Sequence, residues 1–242
     1  MLIYMTNGFI YIASNNVGGL KHDYIKEAIY SATSLKKKCP NANITLFTDK
    51  PVNNKIFDQV NIVKMELRCK QKYLLESPYE KTVYIDSDTY INYNIEDMFI
   101  MLDKFELLCC NDFARKRNLQ LPEYMKIPYA FSELNGGIIG YKKCDNFKKM
   151  VKLWNHYYYK YRNVMPWDQP SFRIAVWESN INLYVLPIEY NRRGLHTKAK
   201  VVNCKKQGDP RFGKDHLVTR IFHFHNIENL TLKDLEKKAQ HL

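Results

Sequence analysis

The chain has 242 residues, of which 45% are apolar and 14% aromatic, and its formal net charge at pH 7 is +12. This length suits one sizeable core, and the composition excludes a disordered, low-complexity or repeat protein. We therefore expect a single α/β domain over residues 1–242.

The distribution of charge and cysteine excludes further classes of protein. The densest basic clusters, Lys36-Lys37-Lys38 and Lys205-Lys206, are short and typical of solvated faces, so we expect no nucleic-acid partner. An anionic small substrate would account for the basic excess equally well. The six cysteines form no Cys-x-x-Cys pair, which indicates neither a zinc finger nor a redox motif.

The apolar runs, such as residues 137–141, are far too short to predict a transmembrane segment. The N-terminal residues lack the basic region and cleavage site of a signal peptide. Scattered cysteines without such a signal indicate reduced thiols. The sequence thus predicts a cytoplasmic protein, and a homodimer is compatible with it.

The first half of the chain alternates strand and helix patterns. Apolar runs predict strands at residues 9–13, 44–48, 60–65 and 82–85, and helical spacing predicts helices at 22–38 and 72–76. This order predicts a mostly parallel sheet with helices on both faces, which binds ligands at the carboxyl ends of its strands. The loop at 14–19 and the turn at 86–88 both lie at that edge.

The second half is less regular and predicts a smaller, mixed part. Strands are expected at residues 107–110, 136–141, 183–186 and 219–224, and a long connection at 115–129. Helices are expected at 145–161, 169–177 and 231–242. Thr231, with Asp234 three residues later, is the expected cap of the last helix.

The strongest chemical signal is Asp86-Ser87-Asp88, directly after an apolar, β-branched strand. Two carboxylates one residue apart can reach one divalent cation, and oxygen ligands suit Mg²⁺ or Mn²⁺. Such a cation stabilises the charge that builds on a leaving diphosphate. The alternative is a solvated turn, since Asp-x-Asp is common in acidic loops.

Five segments together resemble the glycogenin-like transferases, glycosyltransferase family 8 in the broad sense. In chain order they are Lys70, Pro78-Tyr79-Glu80-Lys81-Thr82-Val83-Tyr84-Ile85-Asp86-Ser87-Asp88-Thr89, Asn135-Gly136-Gly137-Ile138-Ile139, Trp167-Asp168-Gln169 and Ile221-Phe222-His223-Phe224-His225. The resemblance implies one GT-A domain, with a nucleotide-binding half over about residues 1–110 and a sugar- and acceptor-binding half over about 111–242. It also implies transfer of a hexose, with retention, from a UDP-sugar to a glycan, protein or small-molecule acceptor.

The resemblance also implies a metal site. Asp86, Asp88 and His223 would bind Mn²⁺ or Mg²⁺, and Asp88 would also approach the donor ribose. His225 is the rival of His223, because residues i and i+2 of a strand share a face. Plain strand packing is the alternative for both histidines.

Further implied roles concern the diphosphate and the donor sugar. Lys70 would pair with the diphosphate or bond the sugar, with Lys72 as the alternative. Asn135 could bond sugar hydroxyls, and Gly136 and Gly137 would permit close approach of the backbone. For the glycines, relief of packing in a strand is the compatible alternative.

The expected reaction centre and nucleotide contacts complete the set. Asp112 would lie against the donor sugar, and Asp168 and Gln169 beside the anomeric carbon, although Asp168 also fits a helix N-cap. The remaining expected substrate contacts are three residues at the end of the first strand and one residue between the two aspartates: Ala13, Asn15, Asn16 and Ser87. An asparagine can bond both the N3–H and a carbonyl of uracil, but asparagine is also common in loops.

The sequence departs from the family after His223. The family continues through Gly to Lys-Pro-Trp, whereas this chain has Phe224-His225-Asn226-Ile227. The second phosphate-binding lysine therefore has no counterpart there, and its candidates are Lys198, Lys200 and Arg211.

Two other functions are alternatives to glycosyl transfer. A haloacid-dehalogenase-type phosphatase also has Asp-x-Asp after an apolar strand, but near the start of its domain, whereas some eighty residues precede Asp86 here. A catalytically silent nucleotide-sugar-binding module would bind UDP with metal and neither hydrolyse nor transfer.

Overall fold

The computed structural model describes residues 5–17, 22–68, 70–112, 120–193, 219–224 and 230–241. Its strands, in chain order, are β1 (Met5–Ile12), β2 (Ile44–Thr48), β3 (Gln59–Ile62), β4 (Tyr79–Ile85), β5 (Thr89–Ile91), β6 (Leu107–Asn111), β7 (Leu134–Lys142), β8 (Leu183–Leu186), β9 (Arg192–Arg193) and β10 (Ile221–His223). Its helices are α1 (Tyr24–Lys38), α2 (Lys70–Leu74), α3 (Asp97–Lys104), α4 (Pro122–Lys126), α5 (Asp145–Tyr161), α6 (Gln169–Ser179) and α7 (Leu232–His241), with a 3₁₀ turn at Ile188–Tyr190.

Seven strands form the main sheet in the order β3-β2-β1-β4-β7-β6-β8, and β5, β10 and β9 form a small second sheet. Strand β7 runs antiparallel to both of its neighbours, whereas the other pairs in the main sheet are parallel. The prediction of a mostly parallel sheet with a smaller mixed part is therefore confirmed.

Both faces of the main sheet are covered, as strands with continuous apolar runs require. Tyr11 and Val83 belong to a cluster that includes residues of α1 and α3. Ile10 and Tyr84 belong to a second cluster, which includes residues of α2, α5 and α6. Successive strand residues point to opposite faces, and burial of each such large side chain contributes about 1.5–3 kcal/mol.

Local chemistry sets the helix ends. Asp23 caps α1 by accepting the backbone N–H of Lys26 at 3.0 Å. At the start of α7, the Thr231 hydroxyl accepts the N–H of Asp234 at 3.1 Å and the Asp234 carboxylate accepts the N–H of Thr231 at 2.9 Å, which confirms the predicted cap. Asn180, with φ 57°, follows α6 in the left-handed conformation that ends many helices.

Four short elements were not predicted: α3, α4, β5 and β9. Helix α3 has only eight residues, about two turns, so its apolar spacing is too brief to recognise. Packing stabilises it, because Met98, Phe99 and Leu102 are buried against the sheet. Helix α4 lies within the connection expected at 115–129, whose residues 115–119 lie outside the described ranges.

The bounds of other strands differ by a few residues from the predicted ones. The strand expected at 60–65 is Gln59–Ile62, which pairs with β2 at the edge of the described sheet and is half exposed. The late strand expected at 219–224 is Ile221–His223. Within the described ranges, no helix has both the length and the apolar character of a membrane span.

Candidate active site

A cavity of about 600 Å³ opens where β1 and β4 end. Twelve of the fourteen predicted site residues line it: Ala13, Lys70, Asp86, Ser87, Asp88, Asp112, Asn135, Gly136, Gly137, Asp168, Gln169 and His223. They come from both halves of the chain and both sheets. Asn15 and Asn16 are not among the lining residues.

Asp86, Asp88 and His223 meet because the two sheets join at the Asp-Ser-Asp turn. Asp86 directly follows β4, and Asp88 directly precedes β5. Strand β10 pairs antiparallel with β5, which sets His223 opposite Thr89. The N–H of Phe224 donates to the Asp88 carbonyl at 2.8 Å. One potential ligand atom from each of the three residues lies within 4.8 Å of the others.

The His223 side chain is only 4% exposed, and its Nε2 lies 3.0 Å from Asp88 Oδ1 and 3.8 Å from Asp86 Oδ2. Its Nδ1 lies 2.9 Å from Oδ1 of Asn191. Burial lowers the pKa of His223, but the carboxylates of Asp88 and Asp86 outweigh burial and raise this pKa above 6.5. The rival His225 lies outside the described residues.

The donor set fits a divalent cation. Two carboxylates and one imidazole nitrogen converge, and the acidic side chains are only 27% and 20% exposed. Room for this cluster depends on Gly137, where a Cβ atom would lie 2.5 Å from His223 Cε1 and 2.9 Å from Asp86 Oδ2. A glycine at this position therefore keeps the space between the three side chains open.

Lys70 begins α2 and extends toward the cluster. Its Nζ donates to the carbonyl of Gly136 at 2.8 Å and lies 3.6 Å from Asp86 Oδ1 and 3.5 Å from Asp168 Oδ2. Burial lowers the pKa of Lys70, but the two carboxylates outweigh burial and raise this pKa above 10.5. The alternative residue, Lys72, pairs with Glu66 at 2.9 Å and is not among the lining residues.

Asp168 precedes α6, but its side chain makes no capping hydrogen bond. Its carboxylate instead pairs with Lys70 and, at 3.5 Å, with Arg68. The buried indole of Trp154 donates to the Asp168 carbonyl at 2.9 Å, which holds this residue at the cavity wall. Capping therefore does not account for the Asp168 carboxylate.

Gln169 and Asp112 are in direct contact, since the Gln169 amide donates to the Asp112 carboxylate. This bond joins the first turn of α6 to the end of β6. Arg193, in β9, lies 3.6 Å from the same carboxylate. Asp112 is thus held between a neutral donor and a cation.

The Asn135-Gly136-Gly137 segment forms the start of β7 and the floor of the cavity. Asn135 is buried, and its Oδ1 accepts the N–H of Gly137 at 2.8 Å. A Cβ at Gly136 would lie 3.4 Å from Lys70 Nζ, which is ordinary contact. The two glycines therefore differ, because only Gly137 is required by a close approach.

At the end of β1, the cavity is lined by Ala13, Ser14, Val17 and Tyr24. The Asn15 amide donates to Asp23 at 2.6 Å and its oxygen accepts the N–H of Ile25 at 3.1 Å. Asn16 donates to Asp49 at 2.7 Å. Both side chains thus have partners within the protein. Ser87 donates to the buried Glu27 at 3.2 Å.

Sequence reasoning missed Arg68, Arg193 and Asn191. Two adjacent arginines after Asn191 are a visible pattern, but only the pairing of β9 with β10 brings that segment to the site. The cations proposed from sequence, Lys198, Lys200 and Arg211, lie outside the described residues.

A comparison with models of protein families and with curated protein sequences finds no match. Solved structures are similar in fold. The galactosyltransferase LgtC, in complex with donor and acceptor sugar analogs, has a TM-score of 0.61 at 11% identity, covering 97% of this chain and 96% of its own. Mouse xyloside xylosyltransferase 1 has a TM-score of 0.56 at 9% identity, covering 94% of this chain and 100% of its own.

The glycosyltransferase GlyE of Streptococcus pneumoniae has a TM-score of 0.62 at 13% identity. The match covers 98% of this chain but 61% of GlyE, which is therefore considerably longer than the matched part. At such low identities the similarity establishes the fold alone. The chain has the GT-A fold that the resemblance implied.

Proposed function

We propose that the protein is a metal-dependent glycosyltransferase that moves a hexose from a UDP-sugar to an acceptor hydroxyl, with retention of configuration. One observation carries the proposal: on a GT-A fold, the Asp86–Asp88–His223 cluster and the Asp168–Gln169 pair face the same cavity. The donor would occupy the half over about residues 1–110, and the acceptor would approach from the half over about 111–242.

In this proposal Asp86, Asp88 and His223 hold Mn²⁺ or Mg²⁺. When bound, the cation supplies charge stabilisation for the departing diphosphate. The local charge balance favours such a cation, because the described residues that line the cavity include five acidic side chains (Glu66, Asp86, Asp88, Asp112 and Asp168) but three cationic ones (Arg68, Lys70 and Arg193). A divalent cation changes the inner cavity from an anionic site into one that accepts a diphosphate.

Lys70 is assigned to the diphosphate or to the sugar that leaves it. It already bridges the metal cluster and Asp168, so a small displacement of its ammonium group would replace a carboxylate contact by a phosphate contact. Arg193 adds a second positive charge to the cavity lining, next to Asp112. Together they would offset the negative charge of the leaving group.

Asp112, Asn135 and Asp168 are assigned to the donor sugar. Because Asn135 Oδ1 accepts hydrogen bonds from both Gly137 and Asn191, Asn135 would donate to a sugar hydroxyl through its amide nitrogen. Asp168 and Gln169 would lie beside the anomeric carbon. A retaining reaction in which the departing phosphate helps to take the acceptor proton requires no separate general base.

The uracil would bind at the end of β1, where Ala13, Asn15 and Asn16 were predicted to contact it. The existing partners of both asparagines mean that their side chains would have to exchange hydrogen bonds to do so. Ala13, Ser14, Val17 and Tyr24 line the same end of the cavity and are further candidate contacts for the uracil. Ser87 would contact the substrate between the two metal-binding aspartates.

The comparisons give no support to a phosphatase, the alternative from a different class of enzyme. A phosphatase of that type would release phosphate from p-nitrophenyl phosphate and form an aspartyl phosphate. A silent module would bind UDP and metal without turnover. Both alternatives remain measurable in the same preparation.

A donor screen tests the proposal. UDP-, GDP- and CMP-sugars are added with Mn²⁺, and the melting temperature and release of free nucleotide are measured. A UDP-hexose at a hundredfold excess over its dissociation constant should stabilise the fold by about 2.7 kcal/mol and should release UDP slowly even without acceptor. Asp88→Asn is the control that should lose both effects. A preference for GDP or CMP would reject the uracil assignment, and binding without release would favour the silent module.

A further inference from the structure

Asn191 lies between the metal cluster and the floor of the cavity without belonging to either. It follows the 3₁₀ turn Ile188–Tyr190 and directly precedes β9. It is 5% exposed. Its side chain contacts Asn135 at 2.7 Å on one side and His223 at 2.9 Å on the other. These two contacts connect the floor of the cavity to the imidazole.

The backbone N–H of Gly137 fixes the direction of the hydrogen bonds in this network. The backbone N–H of Gly137 can only donate, so the Asn135 atom 2.8 Å away is its carbonyl oxygen. The Asn191 atom that contacts the same oxygen must be the amide nitrogen, since two oxygens would repel. The other Asn191 atom, which faces His223, is therefore the oxygen.

An oxygen at that position can only accept. His223 Nδ1 must then carry a hydrogen and donate it to Asn191. Without metal, the Asp88 carboxylate 3.0 Å from Nε2 is a second acceptor, so the imidazole can carry a hydrogen on that nitrogen as well. When a cation takes the place of the Nε2 hydrogen, the hydrogen on Nδ1 remains and is held by Asn191.

We propose that Asn191 is a positioning residue that accepts the Nδ1 hydrogen of His223 and so directs Nε2 to the cation. The inference rests on the metal site of the proposed function, but it concerns the imidazole itself and can be measured without substrate. Asn191 contacts Asn135 and His223, and acts on the metal site through His223. Groups that hold a metal-binding histidine in this way typically change metal affinity about 10–100-fold when removed.

The structure provides a matched control in Asn92. Its amide donates to the carbonyl of Thr219 at 3.0 Å and so supports the segment that leads into β10. It does not contact His223. Asn92→Ala and Asn191→Ala therefore both remove an asparagine that supports the small sheet, but only Asn191→Ala removes the acceptor for Nδ1.

The first measurement is the hydrogen bond at Nδ1 of His223 in protein saturated with Mg²⁺, by long-range ¹H–¹⁵N NMR of the histidine rings. The His223 signals are assigned with His223→Gln. The wild-type protein and Asn92→Ala should show an Nδ1–H signal shifted downfield by its acceptor, and Asn191→Ala should lose this shift. Asn191→Asp, which keeps an acceptor for Nδ1, should retain the downfield shift and serves if the alanine variant does not fold.

The second measurement is Mn²⁺ affinity without nucleotide, by electron paramagnetic resonance. Asn191→Ala should bind Mn²⁺ about 10–100-fold more weakly, while Asn92→Ala should be unchanged. An Nδ1–H shift that is the same in the wild-type protein and in Asn191→Ala would overturn the inference, as would equal losses of affinity in both alanine variants, which indicate packing alone. If Mn²⁺ binds as expected but no nucleotide-sugar is used, the proposed function fails while the role of Asn191 stands.

Discussion

The ammonium nitrogen of Lys70 lies 3.5 Å from a carboxylate oxygen of Asp168, and both side chains are largely shielded from water, with 16% and 7% exposure. This contact links α2 to the start of α6 across the cavity. It places a cation of the proposed nucleotide-binding half against the carboxylate expected at the reaction centre. We therefore expect stability and activity to depend on the same pair.

Lys70→Met should lower both the stability of the fold and the rate of turnover. Removing the cation leaves the shielded Asp168 carboxylate with Arg68, so the free energy of unfolding should fall by about 1–3 kcal/mol, measured in urea. Turnover of the UDP-sugar should fall by about 10²–10³-fold, the cost typical of losing one group that stabilises developing charge.

Lys72→Met is the matched control for Lys70→Met. Lys72 lies on the same helix but pairs with the more exposed Glu66, and such surface pairs contribute about 0–1 kcal/mol. Its turnover should be close to that of the wild-type protein. If Lys72→Met lowered turnover more than Lys70→Met did, the roles assigned to the two lysines would have to be exchanged.

The adjacent glycines give a second matched pair. In Gly137→Ala the new methyl would lie 2.5 Å from His223 Cε1, so the imidazole or Asp86 must move, at a cost of about 1–3 kcal/mol for overpacking. Mn²⁺ affinity should fall at least about tenfold, since the donor atoms separate. In Gly136→Ala the nearest atom is 3.4 Å away and belongs to the flexible end of Lys70, so metal binding should be unchanged. Isothermal titration of both variants with Mn²⁺ checks this, and equal affinities would contradict it.

The aspartates themselves should dominate metal binding. Asp88→Asn keeps the shape of the side chain but removes a charged ligand. Removing a residue that only supports a ligand typically weakens metal binding about 10–100-fold. Removing the ligand itself should weaken Mn²⁺ binding by more than that. Asp103→Asn is the control, because Asp103 is 62% exposed, pairs with Lys81 and does not line the cavity. Retained Mn²⁺ affinity in Asp88→Asn would show that the cation lies elsewhere.

Sequence patterns predicted the elements whose signals are long or chemically specific. Helix α5 was predicted with its observed bounds, because seventeen residues give several turns of apolar spacing. The Asp-Ser-Asp turn was recognised from the buried strand before it. These two signals are local, so tertiary packing adds little to them.

The residues that support the site could be identified only from the folded structure. Asn191 and Arg193 reach the site only because β9 pairs with the two-residue end of β10, and no periodicity reveals a strand so short. Asn15 is a similar case, because its bonds to Asp23 and Ile25 show a role in holding the start of α1 that composition does not reveal. Residues that act through one another are hidden from patterns read along the chain.

The raised pKa of His223 predicts opposite effects of pH with and without metal. In metal-free protein, burial disfavours the imidazolium but Asp88 and Asp86 outweigh burial, so the folded-state pKa lies above 6.5. The resulting stabilisation is fully present below the unfolded-state pKa of about 6.5 and is lost as pH rises through the folded value. Urea unfolding in EDTA should therefore show this stabilisation at low pH and its progressive loss as pH rises above the range in which an ordinary histidine titrates.

Metal binding should follow the reverse order, because Mn²⁺ requires the unprotonated Nε2 and competes with a proton that the aspartates hold firmly. Mn²⁺ affinity should weaken as pH falls, beginning above the pH at which an ordinary histidine titrates. In His223→Gln both pH dependences should flatten, whereas His156→Gln, an exposed substitution on α5, should leave them intact. An affinity for Mn²⁺ in the wild-type protein that is constant from pH 8 to pH 6 would remove His223 from the ligand set and leave the cation to the aspartates and phosphate oxygens.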